Sequence, residues 1–183
     1  AQIVNGAPFA LFLAADQERP RLLEDAGKAS GRFTYAVGKL VLWSASPGFV
    51  DPQGEVLSRG GFARLAIANP KTAPYGAASL EVLEKLGLSA RLRPRLVRGD
   101  SIAQTHQFVA TGNAEIGFIA LAQVVLSPGG SRWTVPQELY SPLRQDAVLL
   151  APGQDQPAAQ AFLDYLKGPE ARGVIERFGY GLD

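Results

Sequence analysis

The chain has 183 residues, 46% hydrophobic and 19% charged, with 18 Lys and Arg against 17 Asp and Glu for a net charge of +1. Compact domains hold roughly 100 to 150 residues, so the length allows one large domain or two small ones; the composition excludes a disordered chain, and the absence of a run near the roughly 20 apolar residues of a bilayer span excludes a membrane helix. With so little net charge no overall field recruits nucleic acid or an anionic membrane, and any anion has to be bound locally.

Gly and Pro, 20 and 13 in number, fall between short segments of alternating character, which predicts α/β organisation. Residues 9–14 form a short apolar run that reads as a buried parallel strand. A short helix follows over 20–29, with Pro20 in its first turn and Gly31 past its end. Residues 35–44 read as one long strand and residues 145–151 as another. Between them, strands are predicted at 64–68, 95–98 and 115–122. Helices are predicted at 76–87, where Leu80, Val82, Leu83 and Leu86 give a buried face, and at 101–111, through Ile102, Phe108 and Val109. Two more helices, 157–167 and 169–178, are separated by Gly168-Pro169.

This order predicts two α/β lobes. Residues 38–147 form one, inserted into the other, which is made of 1–37 and 148–183, and the two long strands cross between them as a hinge. Ligands of open α/β sheets bind beyond the carboxyl ends of strands, so the loops after the strands of the inserted lobe are the places to search.

Two such loops stand out. The segment Asn69-Pro70-Lys71-Thr72-Ala73-Pro74-Tyr75-Gly76 is stiffened by two prolines. Small residues at 76–78 then let backbone N–H groups approach a ligand at a helix start, where unpaired donors and the dipole favour an anion. Val97-Arg98-Gly99-Asp100-Ser101-Ile102 has the same form, with Asp100 or Ser101 as a natural N-cap. Each loop taken alone also fits an ordinary strand-to-helix connection. Two helix starts from one lobe make a more specific anion signal than either alone.

Most familiar catalytic chemistry is missing. No cysteine is present, and with His106 as the single histidine a two-histidine metal site is impossible. His106 reads as a half-buried helix residue, Trp43 and Trp133 as packing residues, and Arg91, Arg93, Arg95 and Arg98 as the exposed side of a strand. No glycine-rich nucleotide loop, nucleophile elbow or metal-ligand cluster occurs.

Several segments resemble the periplasmic molybdate-binding proteins of ABC transporters: residues 6–16, 68–76, Gly112-Asn113-Ala114-Glu115-Ile116-Gly117-Phe118, 139–147 and 162–169. The resemblance runs in order over essentially the whole chain. It implies a type II periplasmic-binding-protein fold, two α/β lobes that hold a tetrahedral oxyanion with backbone N–H groups and hydroxyls and no countercharge. Matched residue by residue, the N–H groups of Tyr75 and Ile102 are the oxyanion donors, with the Tyr75 hydroxyl as a further candidate. Some members place a tyrosine hydroxyl where this chain has Ala120. In the family a strand, a helix and a second strand precede the segment matching Ala1-Gln2-Ile3, so the first lobe is expected to be incomplete here.

The resemblance further implies a monomeric periplasmic receptor, not an enzyme, that takes molybdate or tungstate and delivers it to an ABC transporter permease. No cofactor is expected, and molybdenum enters only as the bound oxyanion, without direct protein ligands. A ligand-sensing effector domain of a transcriptional regulator with the same fold is the alternative. An enzyme using His106 ranks last.

Overall fold

Short apolar runs punctuated by turns become short strands, and the computed structural model, which describes residues 2–127 and 129–183, sorts them into two sheets. In chain order the elements begin with β1 (Leu11–Leu13), α1 (Glu18–Asp25), β2 (Ala29–Gly38), β3 (Leu40–Ser44), α2 (Val56–Arg59), β4 (Leu65–Ala68), α3 (Pro74–Lys85) and α4 (Ser89–Leu92). They continue with β5 (Leu96–Gly99), α5 (Ile102–Ala110), β6 (Ile116–Ala120), β7 (Ser131–Thr134), β8 (Leu143–Leu150), α6 (Pro157–Lys167) and α7 (Pro169–Arg177).

The chain divides into two compact units: unit 1 is Ala1–Gly38 with Arg144–Asp183, and unit 2 is Lys39–Leu143. Almost all of β8 lies in unit 1, so the downstream boundary falls at 143/144, where the sequence reading put it at 147/148.

Unit 2 carries a five-stranded sheet in the order β5-β4-β6-β3-β7. Strand β4 runs parallel to β5 and to β6, while β3 is antiparallel to β6 and β7. Alternation along the strands builds a core on each face. Leu40, Leu42, Leu65, Ile67, Ile116 and Phe118 meet Tyr75, Ala78, Val82 and Leu83 of α3. Val41, Trp43, Ala66 and Ile119 meet Val109 of α5, with Ile102 and Phe108 packed alongside. A sheet covered on both faces buries every residue of β4 and β6, which is why these strands read as unbroken apolar runs.

Unit 1 carries a three-stranded sheet, β1-β8-β2. Its apolar clusters are small: Leu23, Ala29, Val148 and Leu150 in one, and Ala147, Leu149, Ala159 and Leu163 in the other. On β8 the carboxylate of Asp146, wholly buried, accepts hydrogen bonds from Arg32 (2.6 Å), Thr34 (2.8 Å) and Gln17 (3.2 Å). Arg32 also pairs with Glu24, and these bonds hold its guanidinium above its ordinary pKa. Burial pushes the nearby Tyr35 phenol up to about 12.

The structure corrects several readings. β1 pairs antiparallel with β8 and leaves Leu13 39% exposed, so the first run is not a buried parallel strand; a short apolar run does not encode strand direction. The first helix ends at Asp25, not 29, because Gly27 turns the chain at φ +65° and residues 29–38 are strand. The long strand over 35–44 is broken at Lys39 into β2 and β3. Arg91 lies in α4, Arg93 and Arg95 in a 3-10 turn, and Arg98 alone of the four on a strand.

Candidate functional site

Because β5, β4 and β6 are mutually parallel neighbours, their carboxyl ends and the loops that leave them lie at one edge of the sheet. Hydrogen bonds tie the three loops together. The N–H of Asn69, just past β4, donates to the carbonyl of Gly99 at the end of β5 (2.8 Å). Past β6, the Gln123 side chain donates from Nε2 to the carbonyl of Ile102 (3.2 Å) and accepts at Oε1 from the N–H of Ala120 (3.1 Å).

The first loop is a tight turn. Asn69 Oδ1 accepts from the N–H of Lys71, and the Asn69 carbonyl accepts from Thr72 and Ala73. Ala73 is extended, at φ −127° and ψ 121°, as a residue before proline should be, and Pro74 opens α3 without an N–H. Gly76 is required by close approach: a Cβ there would lie 2.2 Å from the carbonyl oxygen of Ala68. The start of α3 is thereby pressed onto the end of β4. Tyr75 is 4% exposed and its ring belongs to the unit 2 core.

The second loop caps itself. Ser101 is the N-cap of α5, and its Oγ accepts from the N–H of Gln104 (3.2 Å). Gln104 Oε1 accepts from the N–H of Asp100 (2.6 Å), and Thr105 Oγ1 donates to the Ser101 carbonyl (2.9 Å). A Cβ on Gly99 would sit 2.9 Å from both Thr105 N and Thr105 Oγ1, so glycine lets the helix start against the strand end. The capping bonds use the N–H groups of Asp100 and Gln104. Among the described residues, the N–H groups of Ile102 and Ala103 meet no acceptor in the protein. Two adjacent unpaired donors at a helix N-terminus form a positive, oriented patch suited to an anion.

The other candidates are structural. The His106 ring sits half-buried with its centroid 5.1 Å from that of Trp43, and burial lowers its pKa. Trp43 and Trp133 are both 7% exposed and belong to the core. Arg91 and Arg95 donate to the carbonyls of Leu57 and Phe62. Among the described residues no group of three or more His, Asp or Glu side chains could hold a metal ion. Gln123 escaped the sequence reading. Its partner Ile102 is 21 residues away, and Ala120 offers none of the side-chain oxygens that flag a capping box.

Two α/β units, one presenting helix starts at the carboxyl ends of its parallel strands, define a binding protein of the type II periplasmic fold. A family model for bacterial extracellular solute-binding proteins matches residues 1–181. The molybdate-binding protein ModA of Azotobacter vinelandii is 63% identical over 187 residues, which span 100% of this chain and 74% of the relative. ModA of Rhodobacter capsulatus is 54% identical over 181 residues, 98% of this chain and 71% of that protein. The solved structure of the Azotobacter vinelandii periplasmic molybdate-binding protein superposes with a TM-score of 0.92 at 44% identity, covering 100% of this chain and 82% of that one. This chain belongs to the bacterial extracellular solute-binding proteins, a family of receptors and not of enzymes.

Proposed function

We propose that this chain is a periplasmic receptor, monomeric, that binds molybdate or tungstate and delivers it to the permease of an ABC importer. The observation that carries the reading is the pair of unpaired N–H groups at Ile102 and Ala103, on a loop bonded both to the end of β4 and to the loop after β6. Support comes also from the two relatives that are molybdate-binding proteins.

The donors assigned are the backbone N–H groups of Tyr75 and Ile102. Neutral donors suit this cargo because a dianion can be matched by several aligned dipoles, each helix terminus contributing about 0.3 to 2 kcal/mol. They also leave no fixed positive charge that would hold any small anion regardless of size. Spacing between rigid loops then selects the larger molybdate and tungstate over sulfate. No cofactor takes part, and the metal arrives inside the oxyanion without a direct bond to the protein.

Calorimetric titration of the chain with molybdate, tungstate and sulfate tests this. Molybdate and tungstate are expected to bind at least about tenfold tighter than sulfate, a difference of about 1.4 kcal/mol. Equal weak heats for all three anions would overturn the proposal.

A further inference from the structure

We infer that Gln123 is a positioning residue for the anion donors of α5: it holds the peptide between Ile102 and Ala103 so that both unpaired N–H groups stand presented at the helix start. The inference rests on the receptor reading above and adds to it a residue and a second donor, the N–H of Ala103.

A peptide unit is planar, with its C=O and N–H pointing in opposite directions. The carbonyl of Ile102 and the N–H of Ala103 belong to the same unit. Within α5 that carbonyl already faces the helical N–H four residues on, and Gln123 Nε2 grips it in addition at 3.2 Å, which reinforces the direction in which the Ala103 N–H points. A hydrogen bond accepted by a peptide carbonyl also polarises the unit and strengthens its N–H as a donor. Ile102 carries the adjacent N–H, one peptide earlier, and is braced from the other side by the Ser101 cap.

The other end of the glutamine is committed as well. Gln123 Oε1 accepts the N–H of Ala120 at 3.1 Å, the last residue of β6. The amide thus spans from the rigid, buried end of one strand to the first turn of the helix that follows another. One bond from each end of the amide is committed within the protein, and these two bonds give it the role of holding the donors. Ala120 supplies no hydroxyl, and its N–H is spent on Gln123.

A carboxylate in this position can accept from Ala120 but cannot donate to Ile102. A protonated carboxyl can do both, since it keeps one O–H donor and a carbonyl acceptor. Two variants therefore separate the role from bulk. Gln123→Leu keeps the volume and removes both bonds. Gln123→Glu keeps the shape and makes the donor depend on pH.

Molybdate titrations of wild type and both variants, with circular dichroism as a check of fold, read out the effect. Gln123→Leu is expected to weaken molybdate binding about tenfold, the size of one lost net hydrogen bond. Gln123→Glu is expected to bind weakly at pH 8 and to recover towards wild type only as the pH is lowered towards the ordinary glutamate range, about 4.3, with the wild-type titration at each pH as the reference. A ligand-free arm follows the 13C resonance of the Ile102 carbonyl, which should move in Gln123→Leu relative to wild type. Unchanged affinity in both variants, with an unmoved carbonyl resonance, would overturn the inference while leaving the receptor reading intact. A wild type that takes up no molybdate, with the carbonyl resonance still responding, would overturn the receptor reading and leave the grip of Gln123 standing.

Discussion

The two units stay folded by different means. Unit 2 hides most of its large apolar side chains: Leu40, Leu42, Leu65, Ile67 and Phe118 are each 0% exposed, in one continuous cluster, although Leu86 and Leu126 remain exposed. In unit 1 the buried clusters are small, and Phe9, Phe162, Tyr165, Val174 and Phe178 are all at least 40% exposed. The ion pairs divide the other way. Among the described residues unit 2 has a loose one, Arg59 with Asp51 at 3.9 Å, whereas Arg32 in unit 1 bridges Glu24 and the buried Asp146, and Arg144 pairs with Asp183. The difference has a functional meaning. Backbone donors can discriminate anions by size only if they do not yield, and the candidate donors sit on the unit whose core is the more completely packed.

The largest expected effect is in that core. Phe118→Ala should cost about 3 to 5 kcal/mol in urea unfolding, since a fully buried aromatic side chain leaves a cavity the sheet cannot collapse. A loss below 1 kcal/mol would break the contrast between the units. Next comes unit 1, where Asp146→Ala strands three donors. With Arg32 partly solvated, the cost should be about 2 to 3 kcal/mol. Hydrogen exchange should locate that loss in β2 and α1 and leave β4 and β6 protected.

Smaller is the cap of α5. Ser101→Ala should cost about 1 kcal/mol and speed amide exchange in the first turn, with the rest of unit 2 unaffected. The smallest effect is electrostatic. Burial opposes the charge on Glu115, but the backbone N–H groups of Arg64, of Glu115 itself and of Ala63, with the Arg64 charge, outweigh it and hold the carboxyl below its ordinary 4.5. A depressed pKa gives stability that is complete above the unfolded value and is lost as the pH falls through the folded one. Wild type should therefore lose stability below pH 4.5 more steeply than Glu115→Gln in acid unfolding curves. Parallel curves would remove Glu115 from the account.

Legibility in the sequence followed the same division. The strands β4 and β6 and the helices α3 and α5 were readable because burial on both sheet faces and one helix face leaves strong patterns. In unit 1 a strand of three residues, half-exposed, has too little pattern to show that it is antiparallel, and the glycine that ends α1 is Gly27, not Gly31. The break at Lys39 was hidden because strand residues flank it on both sides. α2 and α4, of four residues each, and β7 fall below the length at which periodicity can be read. The candidate loops were visible through proline, glycine and serine at helix starts, chemistry that acts locally. Gln123 was not, because its effect depends on a contact that only the fold brings about.

The measurement that bears most directly on the central claim is a molybdate titration of the 15N-labelled chain followed at the backbone amides. If the account holds, the largest shifts fall on the amides of Tyr75, Ile102 and Ala103. Shifts confined to the exposed arginines Arg93 and Arg98, or none at any amide, would contradict it.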